Sequence, residues 1–223
     1  MSIRPVKKTS TARPAMEGAG VHLHRVFGFA DTKPFDPFLM MDDFRNDHPS
    51  QYKKGFPWHP HRGIETITYV LKGTVAHADS LGNFGDLSDG DIQWMTAGSG
   101  IIHQEMPKGD KNGHMHGFQL WANLPSSEKM TTPRYQDIQS KEIRLLEEDD
   151  GSKIKVIAGD YKGVKGPVDG IAADPHYLDI FVPAGMSKRF PFDTYRQGFA
   201  YIFEGSASFE GASNPVGVKV EKE

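Results

Sequence analysis

The chain of 223 residues contains no cysteine. That absence removes disulfides, thiolate nucleophiles and sulfur metal ligands together, and it leaves imidazole and carboxylate as the available ligand chemistry. It also fits a reducing compartment, so a cytoplasmic location, or a nuclear one in a eukaryote, is expected. No stretch approaches the roughly 18 consecutive apolar residues of a membrane-spanning helix, and no membrane partner is expected. The opening segment MSIRPVKKTSTARPAMEG is basic at Arg4, Lys7, Lys8 and Arg13, but it has no apolar centre and carries Pro5 and Pro14. It reads as a surface arm rather than a leader. Charge of one sign is lacking too: 26 basic residues are interspersed with 29 acidic ones. No field of the kind that attracts nucleic acid results, and direct nucleic-acid binding is not expected.

What the chain does have is turn chemistry. With 24 glycines, 15 prolines and 11% aromatic residues, the composition favours many short strands over a helical bundle. From Gly55 to Pro125, β-rich runs such as IETITYVL (Ile64–Leu71), IQWM and IIHQEM alternate with turns at Lys72-Gly73, Asp89-Gly90 and Gly98-Ser99-Gly100. Such spacing is the signature of an antiparallel sandwich or barrel, so the fold class is all-β. Between Ser126 and Ser152 charged residues dominate, and the stretch reads as a connector with at most one helical turn. Strand-like runs return at Ile154–Ala158 and Tyr177–Val182.

The chain also repeats itself. TYVLKGTVAHAD, from Thr68, aligns without gaps on AYIFEGSASFEG, from Ala200, with the tyrosine and the turn glycine identical. Carried along the same offset, His59 and His61 fall on Pro191 and Asp193, so only the first copy can hold a histidine-based metal site. The second copy has little chain after its turn glycine, and its barrel is expected to be incomplete.

The chemistry concentrates in two triplets, His59-Pro60-His61 before one strand and His103-Gln104-Glu105 within another. In an extended chain residues i and i+2 share a face, so each triplet presents two ligands to one point. Three imidazoles and a carboxylate suit zinc, iron, manganese, nickel, cobalt or copper(II), and they leave coordination positions open for a substrate. An HxH pair is weak by itself, and the chain has two more. His22 and His24 alternate with Val21 and Leu23 in an ordinary strand, and His114 and His116 flank a glycine-bearing loop and read as solvated.

The segments GFPWHPHRGIETITYVLKG, HADSLGNFGDLSDGDIQWMTAGSGIIHQEMP and QLWANLP closely resemble the pirins, two-barrel members of the cupin superfamily, with a dense match from about Gly18 to Pro133. The resemblance implies two tandem jelly-roll cupin barrels. Residues 1–135 would form the metal-binding barrel with its arm, and 136–223 a connector and a partial C-terminal barrel without a metal site. It places His59, His61, His103 and Glu105 on the family's metal ligands, with Fe(II) the expected ion, and puts Glu65 behind them as a residue orienting a histidine. It also implies quercetin 2,3-dioxygenase activity on a flavonol and dioxygen, with Glu105 as general base and Phe56 and Trp58 lining the interior, whereas Trp94, inside IQWM, reads better as core. The other activity it implies is a redox-responsive regulator of the transcriptional co-regulator type, acting through a protein partner. No docking patch for one stands out in the sequence.

Overall fold

The computed structural model describes residues 4–191, 193 and 195–210, and the backbone at 216–217. The first eleven strands run β1 Arg13–Glu17, β2 Val21–Phe27, β3 Phe38–Asp43, β4 Phe56–His61, β5 Ile64–Lys72, β6 Val75–Asp79, β7 Phe84–Leu87, β8 Ile92–Thr96, β9 Ile101–Pro107, β10 His116–Asn123 and β11 Arg134–Ile138. They form two antiparallel sheets, ordered β1-β2-β3-β10-β5-β8-β11 and β4-β9-β6-β7, that face one another as a jelly roll. The C-terminal half adds β12 Arg144–Glu147, β13 Lys153–Ala158, β14 Asp160–Tyr161, β15 Val164–Lys165, β16 Tyr177–Phe181, β17 Ser206–Ala207 and β18 Val216–Gly217. Its main element is the three-stranded sheet β12-β13-β16. Apart from three short 3-10 turns, the described residues carry no helix. The fold is all-β and of cupin type.

Strand alternation decides what points where. In β9, Ile101, His103, Glu105 and Pro107 are buried, while Ile102, Gln104 and Met106 face outward or half outward. β5 is buried on both faces, because the large sheet has cover on both sides. Its Thr68 faces the interior between the sheets. Its Ile67 and Tyr69 join Ile92, Trp94, Phe118 and Leu120 in a core that Ile143, Ile157 and Val168 of the C-terminal half complete. Each such side chain contributes about 1.5–3 kcal/mol by leaving water, so this interface is a main source of stability. Trp94 therefore belongs to the core behind the large sheet and does not line the interior.

Two stretches differ from their reading in the sequence. Within the arm, Arg13–Glu17 is an edge strand paired with β2. Within the charged connector, β11 completes the large sheet against β8, and β12 opens the C-terminal sheet. Both are edge or surface strands whose exposed face is free to be polar, which hides the period-2 pattern. The internal repeat does not repeat as structure: Tyr201 and Phe203 lie outside any strand and pack on the same core. There the Tyr201 hydroxyl donates to Asp43 Oδ2 at 2.9 Å, and Arg45 Nη2 donates to the Phe203 carbonyl at 2.6 Å.

The turn into β9 is set by Gly98, whose φ of 50° lies in the left-handed region. A Cβ there would meet the Thr131 carbonyl oxygen at 2.1 Å, so the position admits no side chain. Its own carbonyl accepts the Gly63 N–H at 2.8 Å, which ties the start of β9 to the end of β4, the two strands that carry the histidines.

Candidate metal centre

β4 and β9 pair antiparallel with His59 opposite His103. Opposed residues in an antiparallel pair point to the same face, so the two rings meet inside, and His61 follows His59 by one pleat. The ring centroids stand 4.5 Å apart for His59 and His103, 5.0 Å for His61 and His103, and 4.8 Å for His59 and His61. One ring nitrogen from each of the three lies within 4.8 Å of the others, an arrangement able to hold a metal ion.

Their hydrogen bonding fits that use. His103 is 1% exposed, and neither of its ring nitrogens has a hydrogen-bond partner among the described residues. An orphaned buried imidazole costs free energy unless something else takes its lone pair. His59 Nδ1 lies 2.8 Å from the Pro57 carbonyl, which fixes the proton on Nδ1 and leaves Nε2 as a ligand. Burial, helped by the neighbouring His103 and His59, pulls the His61 imidazole down to about 3, and burial also lowers His103. Neutral imidazole is the form that binds a metal.

Glu105 is buried one pleat beyond His103. Its Oε1 accepts from Thr68 Oγ1 at 2.8 Å, and Gln119 Nε2 donates to Oε2 at 3.0 Å and to Oε1 at 3.2 Å. The histidines form the metal cluster among the described residues, and Glu105 faces the same cavity as His59 and His61. That cavity has a volume of about 500 Å³ and is walled by Phe29, Met40, Phe56, Trp58 and Trp121. Trp121 packs edge-on against His61 with ring centroids 4.9 Å apart, and Trp58 is 53% exposed at the rim.

Glu65 does not stand behind a histidine. It alternates with Thr68, on the opposite face of β5, and its Oε1 accepts from Thr96 Oγ1 at 2.7 Å. Burial there pushes its carboxyl up. His22 and His24 are exposed on β2 while Val21 and Leu23 are buried, the ordinary strand expected of them. His116 is half-buried rather than solvated, with Arg45 Nε donating to its Nε2 at 3.2 Å. Burial, with Arg45 adding to it and Asp43 opposing, takes its imidazole down to about 4.

These two imidazoles define a pH dependence. Both are neutral in the folded protein at pH values where the unfolded chain, titrating near 6.5, already takes up protons. The metal-free protein is therefore fully stable above about pH 6.5 and loses roughly 1.4 kcal/mol per pH unit per histidine as the pH falls below that value. Urea titrations between about pH 7 and pH 5, above the carboxylate range, read the slope directly. His116→Gln is expected to lower the slope by one histidine's share, roughly 1.4 kcal/mol per pH unit, and an unchanged slope would show that His116 does not hold this value.

Fold and site together define a cupin-type protein with a three-histidine cluster able to take a metal. A family model described as Pirin matches residues 20–122. The pirin-like protein of Caulobacter vibrioides is 46% identical over 206 residues, covering 92% of this chain and 74% of that protein. Human pirin is 40% identical over 205 residues, covering 92% and 68%. The crystal structure of quercetin 2,3-dioxygenase from Acinetobacter baumannii superposes with a TM-score of 0.62 at 36% identity, covering 70% of this chain and 57% of that one. The chain belongs to the pirin family.

Sequence reasoning missed Thr68, Gln119 and Trp121. Each sits in a strand of the large sheet, across the interior from the β9 triplet. The one available signal was the alternation in QLWANLP, which puts Gln119 and Trp121 on one face.

Proposed function

We propose that this protein is a metal-dependent dioxygenase of the quercetin 2,3-dioxygenase type, acting on a flavonol and dioxygen, with His59, His61, His103 and Glu105 as its metal ligands. The observation that carries the reading is the aromatic-walled cavity of about 500 Å³ onto which His59, His61 and Glu105 open. Bound there, a divalent ion, Fe(II) in this reading, supplies a Lewis acid and an open coordination position. Trp58, Trp121, Phe56 and Met40 present flat or flexible apolar walls that suit a planar aromatic substrate and exclude water around it. Glu105 acts as general base, receiving the proton of the flavonol 3-hydroxyl on Oε2, while Thr68 holds Oε1 in place. Gln119, donating to both carboxylate oxygens, keeps the carboxylate facing the cavity.

Metal analysis and quercetin turnover on one freshly purified sample test this. The expected result is close to one metal ion per chain and loss of the flavonol absorption under air. Unchanged absorption with metal present would overturn the dioxygenase reading.

A further inference from the structure

Beside the ligand strand β9, β6 brings a second polar pair to the same interior face. In register, His77 opposes Glu105 and Asp79 opposes His103. All four are buried, and opposed residues of an antiparallel pair share a face. After burial, the groups that act on the His103 charge are Glu105, His59, His77 and Asp79. Asp79 is engaged by the turn that follows β6. Its Oδ1 accepts the Leu81 N–H at 2.7 Å and the Asn83 N–H at 3.0 Å, and its Oδ2 accepts from Asn83 Nδ2 at 2.6 Å. His77 is held from one side alone.

That side is the large sheet, where Thr68, Gln93 and Asp137 stand in register on β5, β8 and β11. Thr68 donates to Glu105 at 2.8 Å, and next to it Gln93 Nε2 lies 2.8 Å from His77 Nε2 and 2.9 Å from Asp137 Oδ1. A carboxylate only accepts, so the atom facing Asp137 is the amide nitrogen, and its second hydrogen goes to His77 Nε2. His77 Nε2 is therefore an acceptor, and the neutral ring carries its proton on Nδ1. That N–H is buried without a partner among the described residues, a costly state. Its direction follows from β7, on the other side of β6. A Cβ at Gly85, which opposes His77 there, would stand 3.3 Å from Nε2 and 3.8 Å from Cδ2. This edge of the ring faces β7, and the Nδ1 edge faces β9 and Glu105. Tyr135 stacks on the ring with centroids 5.9 Å apart and planes 28° from parallel, which steadies it in that plane.

We infer that His77, locked as an Nδ1–H donor by Gln93 and Asp137, is a positioning residue of the metal centre that presents a fixed neutral donor to Glu105 and raises the metal affinity of the site. A donor of fixed tautomer orients a carboxylate ligand without adding a positive charge that would repel the ion. This rests on Glu105 as a metal ligand and not on the flavonol reading.

The test uses zinc, which suits this ligand set, on the whole chain. Two-dimensional 1H–15N spectra of histidine-labelled, zinc-loaded protein are expected to show His77 neutral with its proton on Nδ1. His77→Phe keeps a ring against Tyr135 and removes the donor. Its zinc affinity, read by competition with a chromophoric chelator, is expected to fall at least about 10-fold, the scale of residues behind metal ligands. His77→Asn keeps an N–H near the Nδ1 position and is expected to return to within about 3-fold of the parent, a rescue that packing alone would not give a smaller residue. If the parent takes up no zinc, the metal reading fails and this inference with it. If the parent binds zinc and His77→Phe binds it equally well, the metal reading stands and the assignment of His77 is overturned. A zinc-loaded parent with the His77 proton on Nε2 overturns it whatever the variants do. So does a His77→Asn variant that melts like the parent and binds zinc as weakly as His77→Phe.

Discussion

Replacing His103 by leucine is expected to empty the metal site and yet leave the metal-free protein at least as stable as its parent. The two outcomes follow from one fact. His103 is 1% exposed with both ring nitrogens unpartnered, so in the metal-free protein it is a buried polar group whose hydrogen bonds are unmade. That state costs about 1–3 kcal/mol, and an apolar residue of similar volume relieves it. With metal the balance reverses. His103 stands 4.5 Å from His59 and 5.0 Å from His61, and without it only the two β4 imidazoles and Glu105, one pleat further along β9, remain to hold the ion. Metal affinity is expected to fall more than 100-fold, since even residues behind the ligands are worth 10–100-fold. The parent gains about 2.7 kcal/mol at a metal concentration 100 times its dissociation constant, and the variant gains nothing. Melting curves with and without added metal, together with metal content, read both effects. A variant that keeps its metal would remove His103 from the site. A metal-free variant destabilised by several kcal/mol would show that the ring is a packing element instead.

The same residue illustrates how much the sequence could tell. The clustering of His59, His61 and His103, with Glu105 facing the same cavity as His59 and His61, was legible because each pair is local: the period-2 rule brings i and i+2 together without any knowledge of the fold. The all-β class was legible from turn spacing. What was not legible is whatever crosses between sheets. Thr68 and Gln119 hold Glu105 only because β5 and β10 are adjacent in the large sheet while β9 lies in the facing one, and that adjacency is a property of topology. Glu65 was misread for the same reason. The resemblance put it behind the histidines as a supporting residue, but the strand's alternation sends it to the opposite face, to Thr96. Trp94, inside IQWM, was legible as core, and it lies in the core behind the large sheet. The repeat around Tyr201 shows a further limit. Similar residues were kept for their packing, on the Phe118 and Asp43 side of the large sheet, and not for strand formation.

Glu105→Gln is the substitution expected to separate metal binding from chemistry. Glutamine has the shape of glutamate: its carbonyl oxygen can accept from Thr68 Oγ1, and its NH2 can donate to Gln119 once that side-chain amide turns its oxygen toward it. The interior should therefore keep its packing, and the three histidines, which form the cluster without Glu105, should still take up metal, though more weakly. An amide cannot receive the proton of the flavonol hydroxyl. Positioned general bases contribute about 10²–10⁴-fold, so kcat for quercetin is expected to fall by that factor while KM changes little. Thr68→Val provides the contrast. It removes one hydrogen bond and leaves the carboxylate, so its loss should be smaller, and it should show as a shift in the pH profile that Glu105→Gln abolishes. If Glu105→Gln retains kcat within a few-fold while binding metal, the proton leaves by another route and Glu105 serves the metal alone. If metal content falls to zero with the fold intact, the carboxylate is a ligand the three histidines cannot do without, and the loss of activity then says nothing of a base.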